Sequence, residues 1–143
     1  MTLRDILKVK GSQVHSIGGD QSVLEAVALL VGFRIGALLV RDSAGAAVGI
    51  ISERDVLHEC LDRGAELGRI PVRDVMTRDL IVCVLDDDLE YAMGIVTKNR
   101  VRHLPVMDDG RVVGMISIGD LVKANLDEAQ YENRYLREYI AGR

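Results

Sequence analysis

The stretch Gly114-Met115-Ile116-Ser117-Ile118-Gly119-Asp120 has an earlier counterpart in Gly49-Ile50-Ile51-Ser52-Glu53-Arg54-Asp55. Glycine, isoleucine, serine and aspartate recur in the two copies at a constant offset of 65 positions. Each copy reads as an apolar strand entering a helix, with serine at the junction and aspartate in the first helical turn. A duplicated junction of this kind predicts a duplicated fold.

Outward from the junctions the duplication continues. Residues 37–40 and 47–51 flank the turn Asp42-Ser43-Ala44-Gly45, and residues 103–107 and 112–116 flank Asp108-Asp109-Gly110. Such turns between apolar runs are hairpin signals. Before the first hairpin, Ser22-Val23-Leu24-Glu25 is a capping box, and Val23, Ala26, Val27 and Leu30 share one helical face. Before the second, Asp88 opens a helix whose matching face is Leu89, Ala92, Met93 and Val96. Short apolar strands over 14–17 and 80–84 precede these helices.

Earlier still stand two lead-ins, Leu3-Arg4-Asp5-Ile6-Leu7 and Val72-Arg73-Asp74-Val75-Met76, 69 positions apart. A longer linker around Lys8-Val9-Lys10-Gly11 follows the first. Closing helices are expected from Glu53 to about Leu61 and from Gly119 to about Ala124. The reading is therefore an α/β (α+β) chain of two β-α-β-β-α repeats. Residues 1–68 form the first repeat with its lead-in and linker, 69–125 the second, and 126–143 a C-terminal helical extension. A single three-stranded half exposes an apolar face, so the halves are expected to pack on one another.

The chain has 143 residues, 48% of them hydrophobic and 28% charged, the composition of a globular domain. Its core must be aliphatic, with one Phe and no Trp. A net charge of −4 without a basic run argues against nucleic acid, and no apolar run approaches the ~20 residues of a membrane span. The start lacks the charged-then-apolar order of a signal peptide. Cys60 and Cys83 form no C-x-x-C pair and read as small core residues of a reduced, cytoplasmic protein. His15 and His58 read as surface residues. No nucleophile–base signature, P-loop, G-x-G-x-x-G or metal-ligand spacing is present, which argues against an enzyme and against a bound metal.

Between Ala124 and Ile140, Leu126, Ala129, Asn133, Leu136 and Ile140 step by three and four, a coiled-coil-like seam with Tyr131, Tyr135 and Tyr139 beside it. Two readings stand: a helix packed on its own domain, or a subunit contact.

The ordered double set of motifs resembles the cystathionine-β-synthase (CBS) domain family, and the chain resembles a small stand-alone tandem-CBS protein from Met1 to about Glu128. The residues that carry the resemblance are Arg34-Ile35-Gly36-Ala37-Leu38-Leu39-Val40 with Gly49 to Asp55, and Val72 to Thr77, Arg100-Val101-Arg102-His103-Leu104-Pro105-Val106 with Gly114 to Asp120. The resemblance implies two domains related by a pseudo-two-fold axis. It implies clefts that bind an adenosine-containing ligand (AMP, ADP, ATP, NAD(H) or S-adenosylmethionine), a disk-shaped homodimer, and a sensor or regulator of another protein. Larger relatives attach the module to an enzyme such as IMP dehydrogenase or to a transporter.

Within that resemblance Ser52 and Ser117 lie near phosphate, Asp55 and Asp120 on ribose, and Ser16 and Val82 line the base pocket. Arg54, Arg102 and His103 are the cations available to phosphate. The chemistry fits those roles: a helix N-terminus offers amides to an anion, and an ionised aspartate accepts from two ribose hydroxyls. Capping alone would explain either S-x-x-D, but it explains less well the glycine-plus-apolar approach strand in both copies. The halves also differ, since Arg54 faces Gly119 in the alignment, Arg102-His103 face Gly36-Ala37, and Gly18-Gly19 replaces the family's polar-Pro turn. Besides a nucleotide-binding regulator, the sequence leaves open a purely structural dimerisation module with non-binding clefts, or a regulatory subunit of a separate enzyme or transporter.

Overall fold

Serine, threonine or aspartate stands immediately before every α-helix of the described chain, where it can take up amides that lack an intrahelical acceptor. The computed structural model describes residues 1–142. Thr2 precedes α1 (Leu3–Lys10), Ser22 precedes α2 (Val23–Phe33) and Ser52 precedes α3 (Glu53–Arg63). Asp88 precedes α4 (Leu89–Asn99) and Ser117 precedes α5 (Ile118–Ala141). The strands are β1 (Ser16–Gly18), β2 (Ala37–Arg41), β3 (Ala47–Ser52), β4 (Cys83–Val84), β5 (His103–Asp108) and β6 (Arg111–Ser117).

They form two three-stranded sheets of the same topology, β1-β2-β3 and β4-β5-β6. In each, the first strand runs parallel to the second and the second pairs antiparallel with the third. The β-α-β-β-α order read from the sequence is thus present twice.

The chain divides into two compact units, and their composition differs from the order of the repeats along the sequence. One is the continuous stretch Gln13–Ile81; the other joins Met1–Ser12 to the chain from Val82 onward. Each lead-in therefore packs with the repeat it does not directly precede in sequence. In the continuous unit, Val72 N–H donates to Gln21 O at 2.8 Å, Arg73 N–H to Gly19 O at 3.0 Å, and Arg73 pairs with Asp20. In the other, Leu3 N–H donates to Asp87 O at 2.9 Å, Arg4 N–H to Leu85 O at 3.0 Å, and Arg4 pairs with Asp86 at 3.1 Å. The two docking patterns match residue for residue.

The continuous unit buries Ile17, Val23, Ala26, Leu30, Leu38, Val40, Ile51 and Val56 together with Ile70, Val72 and Met76. The discontinuous unit buries the equivalent aliphatic set, among them Leu89, Ala92, Val96, Leu104, Val106, Ile116 and Leu121, together with Leu3, Ile6 and Leu7 of α1.

Several expectations need correction. Residues 14–17 and 80–84 were expected as strands, but β1 begins at Ser16 and β4 at Cys83. Leu39 N–H donates to His15 O at 3.1 Å, whereas its counterpart Pro105 has no N–H to give, so the β4 ladder begins one residue later. The linker expected from Lys8 is helical through Lys10, and Gly11 ends α1 with φ 100, a conformation that favours glycine. The closing helix and the C-terminal extension are one helix, α5, and the large apolar residues Tyr131, Tyr135, Leu136, Tyr139 and Ile140 are all exposed on it. From residue 129 to 142 the helix is exposed throughout, which argues against the reading that this stretch packs on its own domain.

Of the cysteines, Cys83 is buried, and that burial, reinforced by Asp87, pushes its thiol up to about 11; Cys60 is exposed rather than in a core. His15 is half-buried and stacks on Phe33 with ring centroids 4.0 Å apart, so only His58 is a plain surface histidine.

Candidate functional site

Residues aligned across neighbouring strands point to one face of a sheet, and successive residues alternate. In the continuous unit Ile17, Leu38, Val40 and Ile51 lie in the helix-covered core. The register Ser16↔Leu39↔Ile50 and Ala37↔Ser52 therefore places Ser16, Ile50, Ala37 and Ser52 on the opposite face. In the discontinuous unit Pro105 pairs with Met115, and His103 lies directly across from Ser117. The structure thus brings His103 beside the second junction, where the first has only Ala37. Arg102 contributes through its backbone: Ile118 N–H donates to Arg102 O at 2.8 Å, as Glu53 N–H does to Gly36 O at 2.9 Å. The Arg102 side chain is exposed, as is that of Arg54 on the first turn of α3. Val82, 41% exposed, sits just before β4, and Ser16 is the exposed first residue of β1.

Both junctions are completed capping boxes. Asp55 N–H donates to Ser52 Oγ at 3.3 Å, while Ser52 N–H and Oγ–H donate to Asp55 Oδ2 at 2.9 and 3.1 Å. Asp120 N–H donates to Ser117 Oγ at 3.1 Å, and Ser117 N–H donates to Asp120 Oδ2 at 2.8 Å. Of the four amides a helix start leaves over, three are taken at each junction. The fourth, on Arg54 and on Gly119, has no backbone or side-chain acceptor among the described residues. Oδ1 of Asp55 likewise accepts no hydrogen bond among them. Each junction therefore satisfies itself as a cap and still offers one amide donor.

The repeated glycine has a packing reason. A Cβ on Gly49 would stand 2.6 Å from Met76 Sδ and 2.9 Å from Thr77 O; one on Gly114 would stand 2.6 Å from Leu7 Cδ1. Met76 and Leu7 are matching residues of the two lead-ins, so each glycine is the seat of a docked lead-in.

Beyond these seats the junctions diverge. After Met76 the chain turns extended, and Thr77 and Ile50 exchange backbone hydrogen bonds of 2.8 and 2.9 Å. After Leu7 the helix continues instead, and the Lys10 ammonium reaches Met115 O and, at 2.6 Å, Asp120 Oδ2. Burial raises the Asp120 pKa, but the Lys10 hydrogen bond and charge and the Ser117 contacts outweigh it, leaving the carboxyl below its ordinary value. The basic partner of Asp120 is thus Lys10, which sequence reasoning had placed in a linker. Gly11 as a helix stop was the one local signal that could have extended α1 to include it.

Among the described residues no group of three or more His, Cys, Asp or Glu is placed to hold a metal ion, and no helix is long and apolar enough to cross a membrane.

The CBS domain model matches residues 3–62 and again 72–127. This chain belongs to the CBS-domain family. It is similar to the CBS domain-containing protein CBSX3, mitochondrial, of Arabidopsis thaliana, with 35% identity across 99% of this chain and 72% of that one. Among solved structures, a CBS-domain containing protein from Agrobacterium tumefaciens superposes with a TM-score of 0.84 at 38% identity, covering 87% of this chain and 92% of its own. The CBS domain pair of protein MJ0100, solved in complex with 5-methylthioadenosine and S-adenosyl-L-methionine, superposes with a TM-score of 0.77 at 25% identity, covering 90% of this chain and 98% of its own. The duplicated S-x-x-D junctions are thus two copies of one CBS element, unequal in their basic partners.

Proposed function

We propose that this CBS pair is a non-catalytic regulatory module that binds an adenosine-containing ligand, AMP, ADP, ATP or NAD(H), at its serine–aspartate junctions. The observation that carries the reading is the first junction: Asp55 is held by Ser52 through Oδ2 alone, which leaves Oδ1 for ribose hydroxyls and the Arg54 amide for phosphate. Two adenosine derivatives in the MJ0100 complex support the ligand class. On this reading Ser52 and Ser117 lie near phosphate, with Arg54, Arg102 and His103 as cations at the rim, and Ser16 and Val82 flank the base. The ligand acts by favouring one of two arrangements of the module through unequal affinity, and a regulated protein reads the outcome.

The exposed Leu136 and Ile140 with the tyrosine stripe of α5 support a homodimer, each copy covering the other's apolar stripe. Leu136→Asp would then convert dimer to monomer in sedimentation without loss of fold. The reading of both cysteines as reduced thiols supports a cytoplasmic location; the Arabidopsis relative is named as mitochondrial.

The test is a thermal-shift panel of AMP, ADP, ATP, NAD, NADH and S-adenosylmethionine on wild type, Asp55→Ala and Asp120→Ala. A ligand at 100 times its Kd stabilises by about 2.7 kcal/mol, a resolvable shift. A charge-assisted hydrogen bond contributes about 1.5–3 kcal/mol, so Asp55→Ala should weaken binding ~10-fold or more. No shift with any ligand would favour a purely structural dimerisation module instead.

A further inference from the structure

Lys10 brings a charged side chain into the second junction from another element, α1. Its ammonium holds Asp120 Oδ2 at 2.6 Å and is also bonded to Met115 O. The groups bonded to that carboxylate are Ser117 from the strand end and Lys10 from α1, and His103 lies across the sheet register from Ser117. Among the described residues the matching aspartate at the first junction bonds to no cation: the second lead-in is only a 3-10 turn, Val72–Asp74, and pairs by backbone at Thr77.

From this difference we infer that Lys10 is an intramolecular occupant of the second junction, and that α1 gates that junction while the first stands open. The inference rests on the proposed ribose role of the two aspartates. Lys10 takes Asp120 Oδ2, the oxygen that Ser117 N–H also uses, so it does not fill the ribose position at Oδ1 but draws on the same carboxylate's charge, and, being tethered, it competes with the ligand for that charge at a high effective concentration. The pair is only partly exposed, with Lys10 at 35% and Asp120 at 27%, so solvent weakens it without abolishing it.

The position of Lys10 suits a gate. It is the last residue of α1, Gly11 follows with φ 100, and the buried anchors Leu3, Ile6 and Leu7 lie in the preceding turns. The ammonium can therefore leave Asp120 with the last turn alone, while the anchors keep α1 seated. Because linkage is reciprocal, ligand at the second junction loosens that last turn by the same free energy with which the turn opposes the ligand.

The experiment isolates the second junction in an Asp55→Ala background and measures binding of 5′-methylthioadenosine, which carries no phosphate, and of AMP by calorimetry. Lys10→Met keeps the aliphatic stem and removes the charge; a thermal melt confirms that the fold persists, and Lys10→Ala serves as a second variant. The expected result is that Lys10→Met tightens both ligands about 5- to 10-fold over Asp55→Ala alone, and that adding Asp120→Ala removes the gain. In wild type, hydrogen exchange at residues 8–11 should quicken when the second junction fills. Weaker AMP binding with unchanged methylthioadenosine binding would make Lys10 a phosphate clamp and overturn the gate. Unchanged binding of both would also overturn it. If wild type binds neither ligand, or Asp55→Ala with Asp120→Ala binds like wild type, the nucleotide reading itself fails, an outcome distinct from failure of the gate.

Discussion

The two junctions carry the same glycine, isoleucine, serine and aspartate, close the same capping box and seat matching lead-in residues, yet their carboxylates meet different surroundings. What separates them is the stretch of chain that follows Leu7 and Met76. One lead-in stops after Met76 and lets Thr77 bridge to Ile50; the other continues for another turn and delivers Lys10. A duplicated motif therefore specifies a duplicated scaffold, and the short segment that crosses it decides whether the aspartate is open or paired. Equality of sequence at the motif is no guide to equality of the two sites.

The comparison can be broken most severely at the seats. Leu7→Ala and Met76→Ala each remove a buried side chain from its glycine, and each should lower stability by about 2–5 kcal/mol in denaturant titration. If the docking is equivalent, the two losses agree to within cavity collapse. A loss confined to Met76→Ala would mean that α1 adds little to its unit.

Smaller effects come from filling the seats. Gly49→Ala presses on Met76 Sδ and on the backbone oxygen of Thr77, which cannot move without disturbing the Ile50 bridge. Gly114→Ala meets only the end of the Leu7 side chain. Overpacking costs about 1–3 kcal/mol, with Gly49→Ala at the upper end and Gly114→Ala at the lower. Combining Gly114→Ala with Leu7→Ala should be less damaging than the sum of the two, measured as a double-mutant cycle.

Ser52→Ala and Ser117→Ala should each cost about 1 kcal/mol through the lost cap. Ser117→Ala should also release part of the support for Asp120 and shift its titration upward, a change observable by carboxyl NMR; Ser52→Ala leaves Asp120 untouched.

The smallest effect is the acid limb. The folded Asp120 pKa lies below the ordinary 3.8, so its pairing with Lys10 contributes fully above that value and is lost as pH falls below it toward the folded pKa. Lys10→Met should therefore flatten the stability–pH curve slightly at acid pH and leave the slope above pH 5 unchanged. An identical acid limb in the variant would mean that the pair does not couple to folding.

The elements legible in the sequence were those fixed by neighbours in the chain. The capping boxes at Ser22, Ser52 and Ser117 and the turns at Gly45 and Gly110 are written within four residues. The expected strand at 80–84 was too long because its limit is set by Pro105, more than twenty residues on, and only the register reveals which N–H is missing. The Lys10–Asp120 pair was hidden for the same reason: nothing near either residue announces a contact across 110 positions. The matched pairs Arg4–Asp86 and Arg73–Asp20 show that the lead-ins were marked for crossing, but the mark becomes readable only once both repeats are aligned on the structure.

That crossing also imposes a schedule on synthesis. The stretch Gln13–Ile81 is complete in itself and can close as soon as it has left the ribosome, whereas α1, made first, must wait for a strand and helix that end past Leu121. At ribosomal rates of about 5–20 residues per second the delay is roughly 5–20 s. Through that interval Leu3, Ile6 and Leu7 remain without their seat, so a segment made before the continuous unit docks only after that unit has closed.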